Sequence, residues 1–477
     1  MDTRLRSASA PGALPAQRID AEGRAHIDLR AVLTLALPLV ANSAVQTVLN
    51  LTDLWFIGHI STNAVAAVGA VQWLALMVVL VLSGTGMAVQ TVVAQAYGGG
   101  QFTRASQAVW TSMWGALCTA PLFVLAGLAG PKVLALFDLD PAVDKLAAAF
   151  WVPRVGGAFL GAAVWGVLGF FNGIGRPRIT VAVTLFGTLA NALLNALYIF
   201  GLGWGVAGSA WASTTAQGLG LAAALAVFLR KEYRVEYRAH LTMRLNRRAL
   251  LEQLRLGLPM GLTYASDLLA MSLFLVMQVR LSTVDGAATQ IVWVVTSLAY
   301  MPGIGIALAG TTLVGQSIGA GHPAWAMRVG NRVILLAALG MGGIGLLLAL
   351  AGPWVLPLVI GAADPTAPAV IALGGQLLWF AAAYQVFDGL NVGSALCLRG
   401  AGDALVPALL VGLAALIFVP LAHSLMFAPG GGWIRVLPQL GWGTLGGWIA
   451  VVVYILMLGT ALFTRWRSGV WQQIHLA

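Results

Sequence analysis

Charge is scarce in this sequence. Only 9% of its 477 residues are Asp, Glu, Lys or Arg, where a soluble domain carries about a quarter. With 59% apolar residues, a chain this long could not hide them all in one water-soluble core. The solvent for most of it is lipid. Lysine occurs at three positions only, Lys132, Lys145 and Lys231, and none follows a glycine. That excludes a phosphate-binding P-loop, and with it ATP hydrolysis at such a site. The two cysteines, Cys118 and Cys397, lie in separate apolar segments, and the six histidines are dispersed. Neither a disulfide framework nor a zinc-hydrolase motif is encoded. The formal charge of +10 is spread between apolar runs and forms no patch, which argues against a nucleic-acid partner.

What is abundant is apolar sequence in runs of membrane-crossing length, about 20 residues or more. Twelve are expected, at 29–56, 62–96, 106–130, 143–171, 179–202, 205–229, 249–279, 286–317, 326–359, 367–397, 403–428 and 440–464. The division at 201–205 rests on Gly201, Gly203 and Gly205 alone. Basic loops stay in the cytoplasm. Arg4, Arg6, Arg18, Arg24 and Arg30 precede the first run, seven cations from Arg230 to Arg248 follow the sixth, and Arg465 and Arg467 follow the last. The opposite loops hold mostly acids: Asp138, Asp140, Asp144, Asp285 and Asp364. Both termini are therefore expected in the cytoplasm. Residues 1–28 contain Asp2, Asp20, Glu22 and Asp28, too acidic for a transit peptide. They read as a disordered cytoplasmic tail, and no cleavable signal is expected before the first run.

The sequence also repeats. A shift of 221 residues brings thirteen identities into one register, among them Pro38/Pro259, Ser61/Ser282, Gly84/Gly305, Gln95/Gln316 and Gly98/Gly319. At a slightly longer offset, Asn172-Gly173 answers Arg399-Gly400. Six spans followed by six of the same orientation make a parallel repeat, a plan used by two-lobed transporters. The expected fold is thus an all-α integral membrane protein of twelve helices in two six-helix repeats. Its parts are a tail at 1–28, a first lobe at 29–231, a linker at 232–248, a second lobe at 249–467 and a tail at 468–477.

Three acids fall well inside predicted spans: Asp53, Asp267 and Asp388. Ionisable groups are costly there and usually face a partner or a water-filled cavity. Arg154 and Arg280 are read as snorkelling towards the interface. Asp53 ends a polar stripe with Asn42, Gln46 and Asn50, spaced so that all share one helix face. Asn191 and Asn195 are one turn apart, with Thr184 and Thr188 continuing their face. In the second half Tyr384, Asp388 and Asn391 lie at one-turn spacing, and Thr263 precedes Asp267 by a turn. Desolvation and a nearby cation pull a buried carboxylate in opposite directions. Competition for one carboxylate would exchange a proton or Na⁺ for an organic cation. Trp73, Trp110, Trp114, Trp165, Trp293, Tyr300 and Trp379 could line a cavity for such cargo, although packing and interfacial anchoring account for most tryptophans in membrane proteins.

Several segments resemble the multidrug and toxic compound extrusion (MATE) transporters. They are Leu37-Pro38 through Thr52-Asp53 and Gly58, Ala94-Gln95 with Gly98–Gly100, and Gly310–Gln316 with Gly319-Ala320-Gly321. Phe387-Asp388-Gly389 and Leu398–Asp403 complete the set. The resemblance covers essentially the whole chain. It implies a V of two lobes, alternating access and cation-driven export. By the same resemblance Asp53 matches a proton-handling acid on the first helix and Asn191 its companion. Asp267 matches a position where many members carry Glu, and Tyr384 with Asp388 matches a pair associated with cation binding. Asn195 departs from one branch, which has a second aspartate there, and this counts against a two-carboxylate proton site in the first lobe; acids in both lobes leave the coupling ion open between H⁺ and Na⁺. Na⁺ would sit at Asp267, Tyr384 and Asp388. No other cofactor and no obligate protein partner is implied; the partners are small organic cations and the bilayer of a cell inner membrane. Two other readings are a lipid-linked saccharide flippase, which needs a cationic cavity where this sequence puts acids at mid-span, and a lipid-modifying membrane enzyme, for which no site chemistry is visible.

Overall fold

Short polar residues start the membrane helices. Asp28 accepts a hydrogen bond from the Arg30 amide and opens α1 (Leu29–Gly58), and Asn246 accepts from the Arg248 and Ala249 amides at the head of α10 (Arg247–Leu281). The repeated serines do the same work in each half. Ser61 caps α2 (Thr62–Leu82) and Ser282 caps α11 (Thr283–Gly319). The computed structural model describes residues 14–135, 140–359, 366–433 and 437–474. Asp138, Asp364 and residues 1–13 lie outside them.

In lipid every backbone polar group must bond within the chain, so the apolar runs become helices. The second run is α2 followed, after a break at Ser83, by α3 (Gly84–Gly98). The third is α4 (Phe102–Leu134). The fourth is α5 (Pro141–Gly156) and α6 (Phe159–Gly173), bent by 41°. Then come α7 (Pro177–Asn195), extended by a π-helical turn at Ala196–Gly201, and α8 (Gly205–Phe228). The division between these two is real: Gly203 and Gly205 both take positive φ, at 68° and 54°, which glycine adopts without strain. A short α9 (Lys231–Glu236) precedes α10 and α11. The second half continues with α12 (Pro323–Val359), α13 (Ala367–Gly400), α14 (Leu405–Met426) and α15 (Gly443–Arg467). Among the described residues, 11 helices are long and apolar enough to cross a membrane, and 12 with the bent pair taken as one span. The predicted spans are all present.

Three predicted connections carry more structure than their composition suggested. Residues expected as a disordered tail form a hairpin, β1 (Gln17–Ile19) against β2 (Ala25–Ile27). Asp20 holds its turn through the Glu22 and Arg24 amides, which keep the Asp20 carboxyl below its ordinary range. The hairpin docks on the second half, where Trp325 Nε1 donates to the Pro15 carbonyl at 2.9 Å and Arg328 to that of Ala25 at 2.9 Å. Composition averages over 28 residues and cannot see six that pair. In the C-terminal tail, Trp471 is buried and stacks on Trp466 at 4.5 Å. The linker is strapped to the first half. Tyr233 and Tyr237 bury against Phe170, Phe171 and Phe228, and burial pushes both phenols up. Trp110 and Trp114, candidates for a cavity wall, instead donate to the linker carbonyls of Ala239 and Met243 at 2.6 and 2.8 Å.

The two halves meet on the side of the membrane that carries the termini. Here the repeat becomes geometry. Gln95 donates to the Gly400 carbonyl at 3.0 Å, and its repeat equivalent Gln316 donates to the Gly173 carbonyl at 2.8 Å. Gly98 and Gly319 make the approach possible. A Cβ on Gly98 would stand 2.0 Å from the Gln316 carbonyl oxygen, and one on Gly319 would stand 1.9 Å from that of Gln95. Small residues allow this kind of close helix contact in membranes. Gln90, Thr312 and Arg399 add bonds across the same seam, to Leu308, Asn172 and Met87 respectively. Towards the far side α1 exposes Leu51, Leu54 and Trp55.

Candidate functional site

Each half encloses its own polar centre. In the first, α1 brings Asp53, α7 brings Asn191 and Asn195, and α8 brings Ser213. Asn195 Nδ2 donates to Asp53 Oδ1 at 2.7 Å and to Asn191 Oδ1 at 2.9 Å. Asn191 Nδ2 donates to Ser213 Oγ at 3.2 Å, and that hydroxyl reaches Asp53 Oδ2 at 3.4 Å. The four side chains close a ring. The π-helical turn begins at the residue after Asn195, and such turns often mark functional sites. Asn191 and Ser213 form part of the wall of a cavity of about 340 Å³; Gln46, Asn50, Arg154 and Trp165 are among its other lining residues. That volume falls in the range of small-molecule pockets, about 300–1,000 Å³. Asp53 and Asn195 stand behind this wall.

Arg154 corrects an expectation. It does not snorkel to the interface but lines this cavity, and its charge acts on Asp53 through space. Arg280 keeps an end-of-helix position, stacked over Trp433 at 4.9 Å. The polar stripe of α1 holds in part: Gln46 and Asn50 reach the cavity, and Trp73 and Trp165 contribute its aromatic surface.

In the second half Tyr454 of α15 donates its hydroxyl to Asp267 Oδ1 at 2.8 Å, and Asn391 Nδ2 donates to Asp388 Oδ1 at 3.3 Å. A cavity of about 90 Å³ touches Asp267, Tyr264, Tyr300, Asn391, Arg399 and Asp403. It has room for an ion or a few water molecules. Asp388 lies a turn away from its wall, close enough to Asp267 for the two charges to interact. Tyr384 stacks on Trp448 with ring centroids 6.4 Å apart, within electrostatic reach of Asp388. Of the three residues implied as a Na⁺ site, Asp267 lines the cavity, and Asp388 and Tyr384 do not. Phe274, which takes the place of Asp53 in the repeat, is an apolar core residue against Trp293, Phe418 and Trp448. The halves share a frame and fill it differently.

Sequence reasoning missed Ser213, Tyr454 and the part played by Tyr300. Ser213 had a signal, since Ser209, Ser213 and Gln217 recur at four-residue spacing on α8. Tyr454 had none. Replacing it with Phe removes the only hydroxyl bonded to Asp267 among the described residues. A hydrogen bond to a charged group contributes about 1.5–3 kcal/mol. Tyr454→Phe is therefore expected to shift the coupling-ion dependence of transport in proteoliposomes by roughly tenfold or more. An unchanged dependence would remove Asp267 from ion handling.

A sequence model of the MatE family matches residues 38–197 and 259–423, two segments that begin 221 residues apart like the repeat itself. Among curated relatives, a probable multidrug resistance protein NorM from Rhizobium meliloti is 28% identical over 457 residues, covering 92% of both chains. Its counterpart from Pseudomonas aeruginosa is 31% identical over 474 residues, covering 93% of this chain and 90% of its own. Among solved structures, the outward-facing conformation of a multidrug resistance MATE family transporter of the MOP superfamily superposes with a TM-score of 0.78. It has 19% identity and covers 92% of this chain and 94% of its own.

Proposed function

Because the chain belongs to the MatE family of membrane transporters, we propose that it exports amphipathic organic cations in exchange for H⁺ or Na⁺ by alternating access. One observation carries this reading: an intramembrane carboxylate, Asp53, is held in a polar ring against the wall of a cavity large enough for a small molecule. The relatives' description as multidrug resistance proteins supports cargo of that kind. A carboxylate so placed takes up a proton or balances a cation, and not both at once. Arg154 sharpens the competition. With Asp53 ionised the pair is neutral; with Asp53 protonated the cavity carries an uncompensated positive charge that repels cationic cargo. Asp267 and Asp388 offer a second place for the ion, and two neighbouring carboxylates with Tyr384 suit Na⁺ as well as H⁺.

Most of the basic loop residues lie on the face that carries the termini, with Lys132, Lys145 and Arg280 among the exceptions, which supports a cytoplasmic position for that face in a bacterial inner membrane. The flippase alternative needs a cationic cavity for pyrophosphate. Arg154 and Arg399 do line cavities, contrary to the expectation from sequence, but Asp53 acts on the first and Asp403 and Asp267 share the wall of the second. A carboxylate near each arginine counts against a pyrophosphate there. In proteoliposomes loaded with ethidium, a pH gradient or a Na⁺ gradient imposed alone is expected to drive efflux. The proton case puts the weight on Asp53, and the Na⁺ case puts it on Asp267, Tyr384 and Asp388. Movement under neither gradient overturns the assignment of drug export, and uptake of a lipid-linked oligosaccharide becomes the next measurement.

A further inference from the structure

On the terminus-bearing face, next to the cavity of the second polar centre, with which it shares Asp403 and Ala404, a crevice of about 930 Å³ opens between α4, α10 and the ends of α14 and α15. Four arginines line it. Arg104 is bonded to Glu252 at 2.8 Å and Arg465 to Asp403 at 2.8 Å, so their charges are balanced. Arg248 and Arg255 are not. Both guanidinium groups are exposed and have no hydrogen bond or ion pair among the described residues. They are seven residues apart on α10 and share a helix face, about 10 Å apart along the axis. Leu251 lies between them, and Leu405 begins α14 on the other wall; they are 56% and 59% exposed. One helical repeat further into the membrane, Leu258 and Leu409 continue the same two faces and are exposed as well.

We infer that this crevice binds an anionic phospholipid, its phosphate between Arg248 and Arg255 and its acyl chains along the leucines of α10 and α14. Two unbalanced cations at the level of helix ends, above paired apolar ridges, match the two halves of such a molecule. Basic pockets between membrane helices bind anionic headgroups for this reason. A soluble anion would leave the leucines without a partner, and a zwitterionic lipid would bring its own cation to the arginines. The crevice touches α3 and α4 of the first half and α10, α14 and α15 of the second, so a lipid seated in it favours the arrangement in which the halves meet here.

Native mass spectrometry of the full chain, with phosphatidylglycerol or phosphatidylcholine added to the micelles, tests this. The wild type is expected to retain one phosphatidylglycerol in preference to phosphatidylcholine. At about 1 kcal/mol per basic residue near the membrane surface, the double variant Arg248→Gln/Arg255→Gln should bind it ~30-fold more weakly. The variant Arg234→Gln/Arg244→Gln removes the same charge from the linker and should bind as the wild type does. Equal loss in both variants, equal retention of phosphatidylcholine, or equally tight binding of water-soluble glycerol 3-phosphate overturns the inference. Hydrogen exchange over 247–256 in the unaltered protein gives a readout independent of any variant. Phosphatidylglycerol should slow it and phosphatidylcholine should not; no slowing with phosphatidylglycerol also overturns the inference.

Discussion

Asp53→Asn should abolish coupled efflux while leaving the fold intact. Asn has the same volume, and its carbonyl still accepts the bond that Asn195 Nδ2 gives to Asp53 Oδ1. What disappears is the negative charge. Arg154, which lines the cavity, then stands without its counter-charge in every state of the cycle. At an effective dielectric of about 20, a monovalent cation some 8 Å from the guanidinium is repelled by about 2 kcal/mol, roughly a 30-fold loss of affinity. Ethidium binding to the purified variant should weaken by about that factor, and transport should fall to the rate of empty liposomes. Adding Arg154→Gln to Asp53→Asn separates the two effects: binding returns, because the cavity is neutral, and coupling does not, because no group there takes up a proton. Asp388→Asn should impair coupling too, without the change in ethidium binding. Wild-type transport by both single variants would remove these acids from the mechanism.

The second large effect lies at the seam. Any side chain at Gly319 places its Cβ 1.9 Å from the Gln95 carbonyl oxygen, far inside van der Waals contact, and the atom it meets is backbone that cannot swing aside. Gly319→Val is therefore expected to hold the halves apart on the terminus-bearing face and to stop the transport cycle. Spin labels placed across that face should report a longer distance. Gly69, whose Cβ would meet nothing within 4 Å, supplies the control: Gly69→Ala should transport normally. Removing Gln95 or Gln316 acts more gently. Each loses one interhelical hydrogen bond, worth about 0.5–1.5 kcal/mol, and the symmetry of the two bonds predicts similar losses for Gln95→Ala and Gln316→Ala. Normal transport by Gly319→Val would mean that the closed seam is not a state the cycle visits.

Much of this was legible in the residues. Apolar length alone located the spans, because lipid demands that the backbone bond within the chain and runs of about 20 apolar residues suit helices, not the shorter strands of a barrel. The 221-residue register anticipated the pairing of the halves. Asp53, Asn191 and Asn195 could be suspected because acids and amides are rare inside such runs. That Asn191 accompanies Asp53 came from the family resemblance alone, since helical spacing says which residues share a face and nothing about which face looks at which. Tyr454 shows the limit. Its neighbours at three and four residues are Ala450, Val451, Met457 and Leu458, so nothing on its own helix marks it, and only the packing of α15 against the second polar centre gives it Asp267. Arg154 was misjudged for a related reason. Its place in the opening turns of a span suits snorkelling, but which face of α5 meets the cavity is decided by the packing of other helices, which the span's own residues do not show.

The doubled seam has a further consequence. Gln95 meets the second-half counterpart of the glycine that Gln316 meets in the first, and Gly98 faces Gln316 as Gly319 faces Gln95. This is an isologous interface written within one polypeptide. Neither lobe is the socket and neither the plug. A half-length chain ending before the linker would already carry both faces of the contact, and two copies of it could meet about a twofold axis through the membrane.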